Sequence, residues 1–207
     1  MKLDKYRGII PAFYACYDKA GEVSEDGVRA LTRYFVDQGV KGVYVGGSSG
    51  ECIYQSVEDR KKTLEAVMDE AAGCLTVIAH VACNNTRDSR ILAAHAQDLG
   101  VDGIAAIPPI YFKLPEYSVA GYWNDISEAA PETDFIIYNI PQLAGTALTM
   151  NLLKTMLLNR QVAGVKNSSM PVQDIQMFKA EAMKTRQDFI VFNGPDEQLV
   201  SGLAMGA

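Results

Sequence analysis

Two kinds of apolar patterning alternate along the chain. Short continuous apolar runs, such as Phe135-Ile136-Ile137 and Ile190-Val191-Phe192, are separated by longer stretches in which apolar positions recur every three or four residues. Consecutive apolar positions imply burial on both faces, as in a parallel sheet covered by helices. Strands are predicted at residues 8–15, 42–46, 75–81, 103–107, 134–138, 162–166 and 189–193. Between them, Ser56-Val57-Glu58-Asp59 opens a helix with a weak form of the capping box. Leu64, Val67, Met68 and Ala71 then keep to one helical face. Ser24, Thr86 and Thr149 are candidate caps for other helices, and Pro195 suits a first helical turn. This strand–helix alternation excludes an antiparallel design and leaves a parallel barrel or a doubly wound sheet.

A small repeat sharpens the picture. Gln38-Gly39-Val40-Lys41-Gly42-Val43 and Leu99-Gly100-Val101-Asp102-Gly103-Ile104 each end a helix and begin a strand. The first glycine of each suits a left-handed helix C-cap, and the second permits close packing where the strand starts. Leu203-Ala204-Met205-Gly206-Ala207 is the opening half of the same connection. The expectation is a (β/α)8 TIM barrel that stops just before strand eight, with two open edges.

Composition narrows the class. The 207 residues suffice for one substantial core, so residues 1–207 are expected to form a single domain, incomplete at its C-terminus. A net charge of −6 gives no basic footprint for nucleic acid. No apolar run approaches the roughly 18 residues that span a bilayer, and Met1-Lys2-Leu3-Asp4-Lys5-Tyr6-Arg7 contains no signal-peptide core. The four cysteines, Cys16, Cys52, Cys74 and Cys83, are scattered and form no cluster with His80 or His95. Reduced thiols in a cytoplasmic protein without a zinc site are expected.

Lys166 stands out chemically. It ends the apolar run Val162-Ala163-Gly164-Val165, where an ammonium has little water around it, and desolvation favours the neutral, nucleophilic amine. In a parallel barrel the working residues follow the strands: Gly46-Gly47-Ser48-Ser49-Gly50-Glu51, Pro108-Pro109-Ile110-Tyr111, Tyr138-Asn139-Ile140-Pro141, Lys166-Asn167-Ser168-Ser169 and Asn193-Gly194-Pro195-Asp196-Glu197. Each has an ordinary reading when taken alone. Turn serines are common, a strand-end lysine can reach solvent, a core tyrosine can fill space, and Asp196 with Glu197 can complement a helix N-terminus. His80 reads as a hydrogen-bonded core histidine and His95 as a helix-surface one. Together, an amine, a phenol and a hydroxyl-rich anion loop form a coherent site for Schiff-base chemistry.

These segments resemble the N-acetylneuraminate lyase / dihydrodipicolinate synthase family of class I, pyruvate-handling (β/α)8 enzymes. The resemblance rests on Gly46-Gly47-Ser48-Ser49-Gly50-Glu51, Tyr138-Asn139-Ile140-Pro141, Gly164-Val165-Lys166 and Asn193-Gly194-Pro195-Asp196-Glu197, and runs from about Gly8 to Ala207. Within the family the chain looks like the lyase branch. Synthases typically place a carboxylate-binding arginine two residues after the proline of Tyr-Asn-x-Pro, where this chain has Leu143. Asp196 and Glu197 match acceptors that hold the polyol tail in sialic acid lyases. Ser49 and Ser168 stand where lyases often carry threonine, and Tyr14-Ala15-Cys16-Tyr17 replaces a more usual Thr-Pro-Phe stretch.

The resemblance implies cleavage of sialic acid to N-acetylmannosamine and pyruvate, with no metal and no organic cofactor. Lys166 would form the imine, Tyr138 would move the proton, and Ser48 would link Tyr138 to Tyr111 in a relay. Ser48, Ser49, Ser168, Gly194, Asp196 and Glu197 would bind substrate. Tyr111 would reach a neighbouring subunit's site in a homotetramer. Two rivals stand beside this reading: another pyruvate-dependent aldolase of the same family, and a non-catalytic sugar-acid binding protein.

Overall fold

In the computed structural model, residues 3–186 and 188–207 are described. Six strands form one sheet in sequential order: β1 (Gly42–Val45), β2 (Thr76–His80), β3 (Gly103–Ala106), β4 (Asp134–Asn139), β5 (Val162–Asn167) and β6 (Ile190–Asn193). Every neighbouring pair is parallel. The sheet curls into a half-barrel. Helices α1 (Glu25–Asp37), α2 (Val57–Ala71), α3 (Thr86–Asp98), α4 (Glu116–Glu128), α5 (Pro141–Ala144), α6 (Met150–Met156), α7 (Gln173–Ala182) and α8 (Leu199–Ala204) connect the strands or follow them. Among the described residues no helix is long and apolar enough to cross a membrane.

Alternation along each strand divides the core in two. Val43, Val45, Val77, Ala79, Ile104, Ala106, Phe135, Ile137, Val165 and Val191 pack outward against the helices. Tyr44, Ile78, Ala105, Ile136 and Tyr138 point the other way, into the lumen, where Ile190 and Phe192 join them. Tyr6 closes the lower lumen, its hydroxyl 2.6 Å from the Asp102 carbonyl and 2.9 Å from the Asp134 carboxylate.

The first predicted strand differs from expectation. Residues 9–13 run beside β1, with Lys41 N–H donating to the Ile9 carbonyl, Tyr44 N–H to Pro11 and Phe13 N–H to Tyr44. Only Ala12 forms a bridge, to Tyr44. Pro11 has no N–H to continue the ladder, which reduces the segment to an edge fragment.

Helix starts follow the sequence closely. Ser24 accepts from Gly27 N–H, Ser56 and Asp59 form a reciprocal capping box, and Thr149 accepts from Leu152 N–H. Asn85, not Thr86, caps α3, accepting from Asp88 N–H at 2.8 Å, and Thr86 is the first helical residue. Pro195 precedes a single 3-10 turn, Asp196–Gln198, rather than entering an α-helix. Gly39, Gly100 and Gly206 all take positive φ, as the repeat requires.

Candidate active site

A one-residue irregularity aims the lysine. Phe135 pairs with Val162, but the next residue, Ile136, pairs with Gly164, so Ala163 is an extra residue on β5. Val162 faces the helices. Without the bulge, strict alternation would turn Lys166 toward the helices as well. With it, Val165 faces out, and Gly164 and Lys166 face the lumen in register with Ile136 and Tyr138. On its other side Lys166 pairs with Phe192. Gly164 is required beneath it, because a Cβ there would collide with the backbone carbonyl of Ile190.

The lysine nitrogen lies 3.6 Å from the Tyr138 ring centroid and 4.8 Å from that of Tyr44. It donates to Ser168 Oγ at 3.4 Å. Burial holds the amine below the ordinary lysine range, and the neighbouring Tyr138 phenol opposes that shift. This is the environment in which an amine can act as a nucleophile.

His80 is a core histidine, as its position implies, but it lies in the lumen, 6.0 Å from Tyr138 and 6.2 Å from Tyr44. Its Nδ1–H donates to the Gly46 carbonyl at 2.8 Å, and Nε2 faces Ile107 N–H at 3.4 Å. Burial, reinforced by the Arg60 guanidinium, pushes its pKa well down, so the ring is neutral. Arg60 on α2 is buried and donates to the His80 carbonyl at 2.6 Å and the Ala82 carbonyl at 2.7 Å. The Arg60–His80 pair thus ties the end of β2 to the start of the Gly46–Glu51 loop. His95 lies on α3, 2.8 Å from Glu65.

The remaining residues fall around the same mouth. Ser48 is exposed and Ser49 half-buried. The Ser48 hydroxyl makes no hydrogen bond to Tyr138 or Tyr111 among the described residues. Tyr111 is 89% exposed, at φ 85, with its ring packed edge-on against Phe112 at 4.9 Å. A non-glycine residue in that region is strained. Ser168 is buried. Gly194 N–H donates to the Asn167 carbonyl at 2.7 Å, and a Cβ on Gly194 would strike Ser168 Oγ. Asp196 and Glu197 are exposed beyond it. Leu143 lies in α5 and is 63% exposed.

Three asparagines within these motifs hold the loops of the mouth. Asn139, Asn167 and Asn193 are in register at the ends of β4, β5 and β6. Asn139 donates to Asn167 at 2.7 Å and accepts from Leu148 N–H at 2.9 Å. Ser169 bridges Asn167 and Asp174 at 3.1 and 2.7 Å. Asn193 donates to the Pro195 carbonyl at 2.6 Å. These bonds fasten the loops that carry Leu143, Ser168 and Asp196. The signal in the sequence was an asparagine at the last position of three successive apolar strands. Among the described residues no group of three or more His, Cys, Asp or Glu side chains could hold a metal ion.

Comparison with known proteins places the family and the fold. Residues 5–207 match the dihydrodipicolinate synthetase family. An N-acetylneuraminate lyase of Mediterraneibacter gnavus is 70% identical over 205 residues, covering 99% of this chain and 64% of that protein. An N-acetylneuraminate lyase of Escherichia coli is 33% identical over 201 residues, covering 97% of this chain and 66% of that protein. The structure of a catalytic lysine mutant of the Ruminococcus gnavus sialic acid aldolase superposes with a TM-score of 0.96 at 69% identity, covering 100% of this chain and 67% of that one. The chain thus spans 64% of the length of the first of these relatives. By the span of the family match and the identity to these relatives, the chain belongs to the dihydrodipicolinate synthetase family.

Proposed function

We propose that the protein of which these residues form the catalytic half-barrel is a class I aldolase that cleaves N-acetylneuraminate to N-acetylmannosamine and pyruvate. The observation that carries this reading is the partly buried Lys166 amine, kept below its ordinary pKa and lying against the Tyr138 ring. The names of the lyase and aldolase relatives support the substrate.

The open-chain sugar acid places its carboxylate on the Ser48 and Ser49 hydroxyls and nearby backbone N–H groups. Neutral Lys166 attacks the C2 ketone, the Tyr138 phenol gives its proton to the departing hydroxyl, water leaves, and a protonated imine forms beside the Tyr138 phenolate. That iminium accepts the electron pair of the C3–C4 bond as it breaks. Tyr138 takes the C4 hydroxyl proton, directly or through the substrate carboxylate, and the C4 oxygen becomes the aldehyde of N-acetylmannosamine. The enamine is protonated at C3, and water hydrolyses the imine to release pyruvate and free Lys166. Ser168 and Gly194 line the approach, and Asp196 and Glu197 accept hydrogen bonds from the polyol. Ser48 joins Tyr138 to the Tyr111 of a neighbouring subunit in a proton relay.

Tyr111 completes the site of a neighbouring subunit in a homotetramer. Its exposure, its strained backbone and the adjacent exposed Phe112 support that role. All four cysteines are free thiols, as in a reducing compartment such as the cytoplasm.

A substrate panel tests the assignment. Pyruvate release from N-acetylneuraminate, with little condensation of pyruvate and aspartate semialdehyde, is the expected result. Leu143, lacking the charge to hold a second carboxylate, is the reason for that preference. The reverse preference would transfer the protein to the synthase branch.

A further inference from the structure

Tyr44 has no part in the chemistry above, yet it lies against Lys166, Tyr138 and the anion loop. It stands on β1 with its ring buried in the lumen. The ring meets the anion loop, where a Cβ on Gly47 would lie 2.7 Å from Tyr44 Cε1. It also meets the catalytic groups: Lys166 Nζ at 4.8 Å from the ring centroid and the Tyr138 ring at 5.6 Å and 74°. Its hydroxyl is buried without a hydrogen-bond partner among the described residues. Buried tyrosines normally satisfy that group, so the ring, and not the hydroxyl, is what this position uses.

We propose that Tyr44 is a positioning residue for Lys166, its ring forming with that of Tyr138 a two-walled aromatic corner for the cationic forms of the lysine nitrogen. The ring quadrupole attracts a cation far more than it attracts a neutral amine. Burial alone would drive the nitrogen to neutrality and destabilise any iminium formed on it. Two ring faces supply the missing stabilisation without water and without a carboxylate that would lock the amine as an ion pair. The iminium part of this inference rests on the imine chemistry proposed above; the ammonium part does not.

Apart from the Tyr138 hydroxyl, which also favours the ammonium, the groups around the nitrogen leave the rings as the source of the effect. Tyr138 faces it from β4, His80 from β2 and Phe192 from β6, and Ser168 lies just past the end of its own strand. His80 is neutral with its proton committed to the Gly46 carbonyl, and Arg60 of α2 is spent on strand-end carbonyls. Arg60, as a cation, would push the amine toward neutrality rather than hold its charge.

The test replaces Tyr44 with phenylalanine and, separately, with pentafluorophenylalanine, which is near-isosteric but has its ring-face potential reversed. The pH midpoint for acetylation of Lys166 by acetic anhydride is read by peptide mass spectrometry against exposed Lys19. The phenylalanine variant should keep the midpoint of the parent chain. The fluorinated ring should lower it by about one pH unit, a tenfold gain in neutral amine at fixed pH. An unchanged or raised midpoint with the fluorinated ring overturns the proposal. So does an equal drop with phenylalanine, which would assign the effect to the hydroxyl. No keto acid is used, so the result stands apart from whether an imine forms with pyruvate.

Discussion

At the scale of single residues, Lys166 sets a conflict between stability and chemistry. An amine whose folded pKa lies below its ordinary value of 10.5 is one the folded chain would rather not protonate. Between the folded and unfolded values the unfolded chain holds the extra proton, so stability rises with pH across that interval. The cost is fully present below the folded value and disappears above the unfolded one. Lys166→Met should therefore stabilise the chain by about 1 kcal/mol near neutrality, with the gain shrinking toward pH 10.5. Urea denaturation at a series of pH values would show it, and a gain that grew with pH would contradict this account of the site. The lysine was legible in the sequence because a basic residue at the end of an apolar run is unusual. Tyr44 beside it and Arg60 behind His80 were not, because a tyrosine inside a strand and an arginine on a helix carry no mark of where they point.

At the scale of elements, two glycines show how packing decides what a side chain costs. Gly121 lies inside α4 with open space where a Cβ would go, whereas a Cβ on Gly164 would meet the Ile190 carbonyl on β6. Gly121→Ala should stabilise by about 1 kcal/mol through helix propensity. Gly164→Ala should destabilise by about 1–3 kcal/mol or more, since the obstacle is backbone and cannot rotate away. Thermal denaturation of both variants would separate them, and equal effects would show that β5 and β6 are not in the register described. The strands after the first were readable because continuous apolar runs mark burial on both faces. That same continuity hid the bulge. Val162-Ala163-Gly164-Val165 is apolar whichever way it alternates, so the sequence could not say that Lys166 faces the lumen. Residues 8–15 misled for the opposite reason, since their apolar content concealed what Pro11 does to a ladder.

At the scale of the whole molecule, the parallel order carries loops distant in sequence to one mouth, and that convergence was predictable once strands and helices alternated. What the sequence could not place was the distance between groups on different loops. Ser48 and Tyr111 are the case in point: both reach the mouth, but neither bonds to Tyr138. If Tyr111 serves a neighbouring subunit, Lys166→Arg and Tyr111→Phe variants should each be poorly active in the assembled protein. Mixing and reassembling them should restore activity that neither parent has, because some sites then combine an intact lysine with an intact tyrosine from next door. Activity no greater than the average of the two parents would place both residues in one subunit's site.

The central claim is covalent. Incubation with pyruvate and sodium borohydride should fix the imine as a stable secondary amine, and peptide mass spectrometry should find that pyruvate-derived adduct on Lys166. Protein recovered with Lys166 unmodified, or with the adduct spread over surface lysines instead, would contradict the aldolase reading.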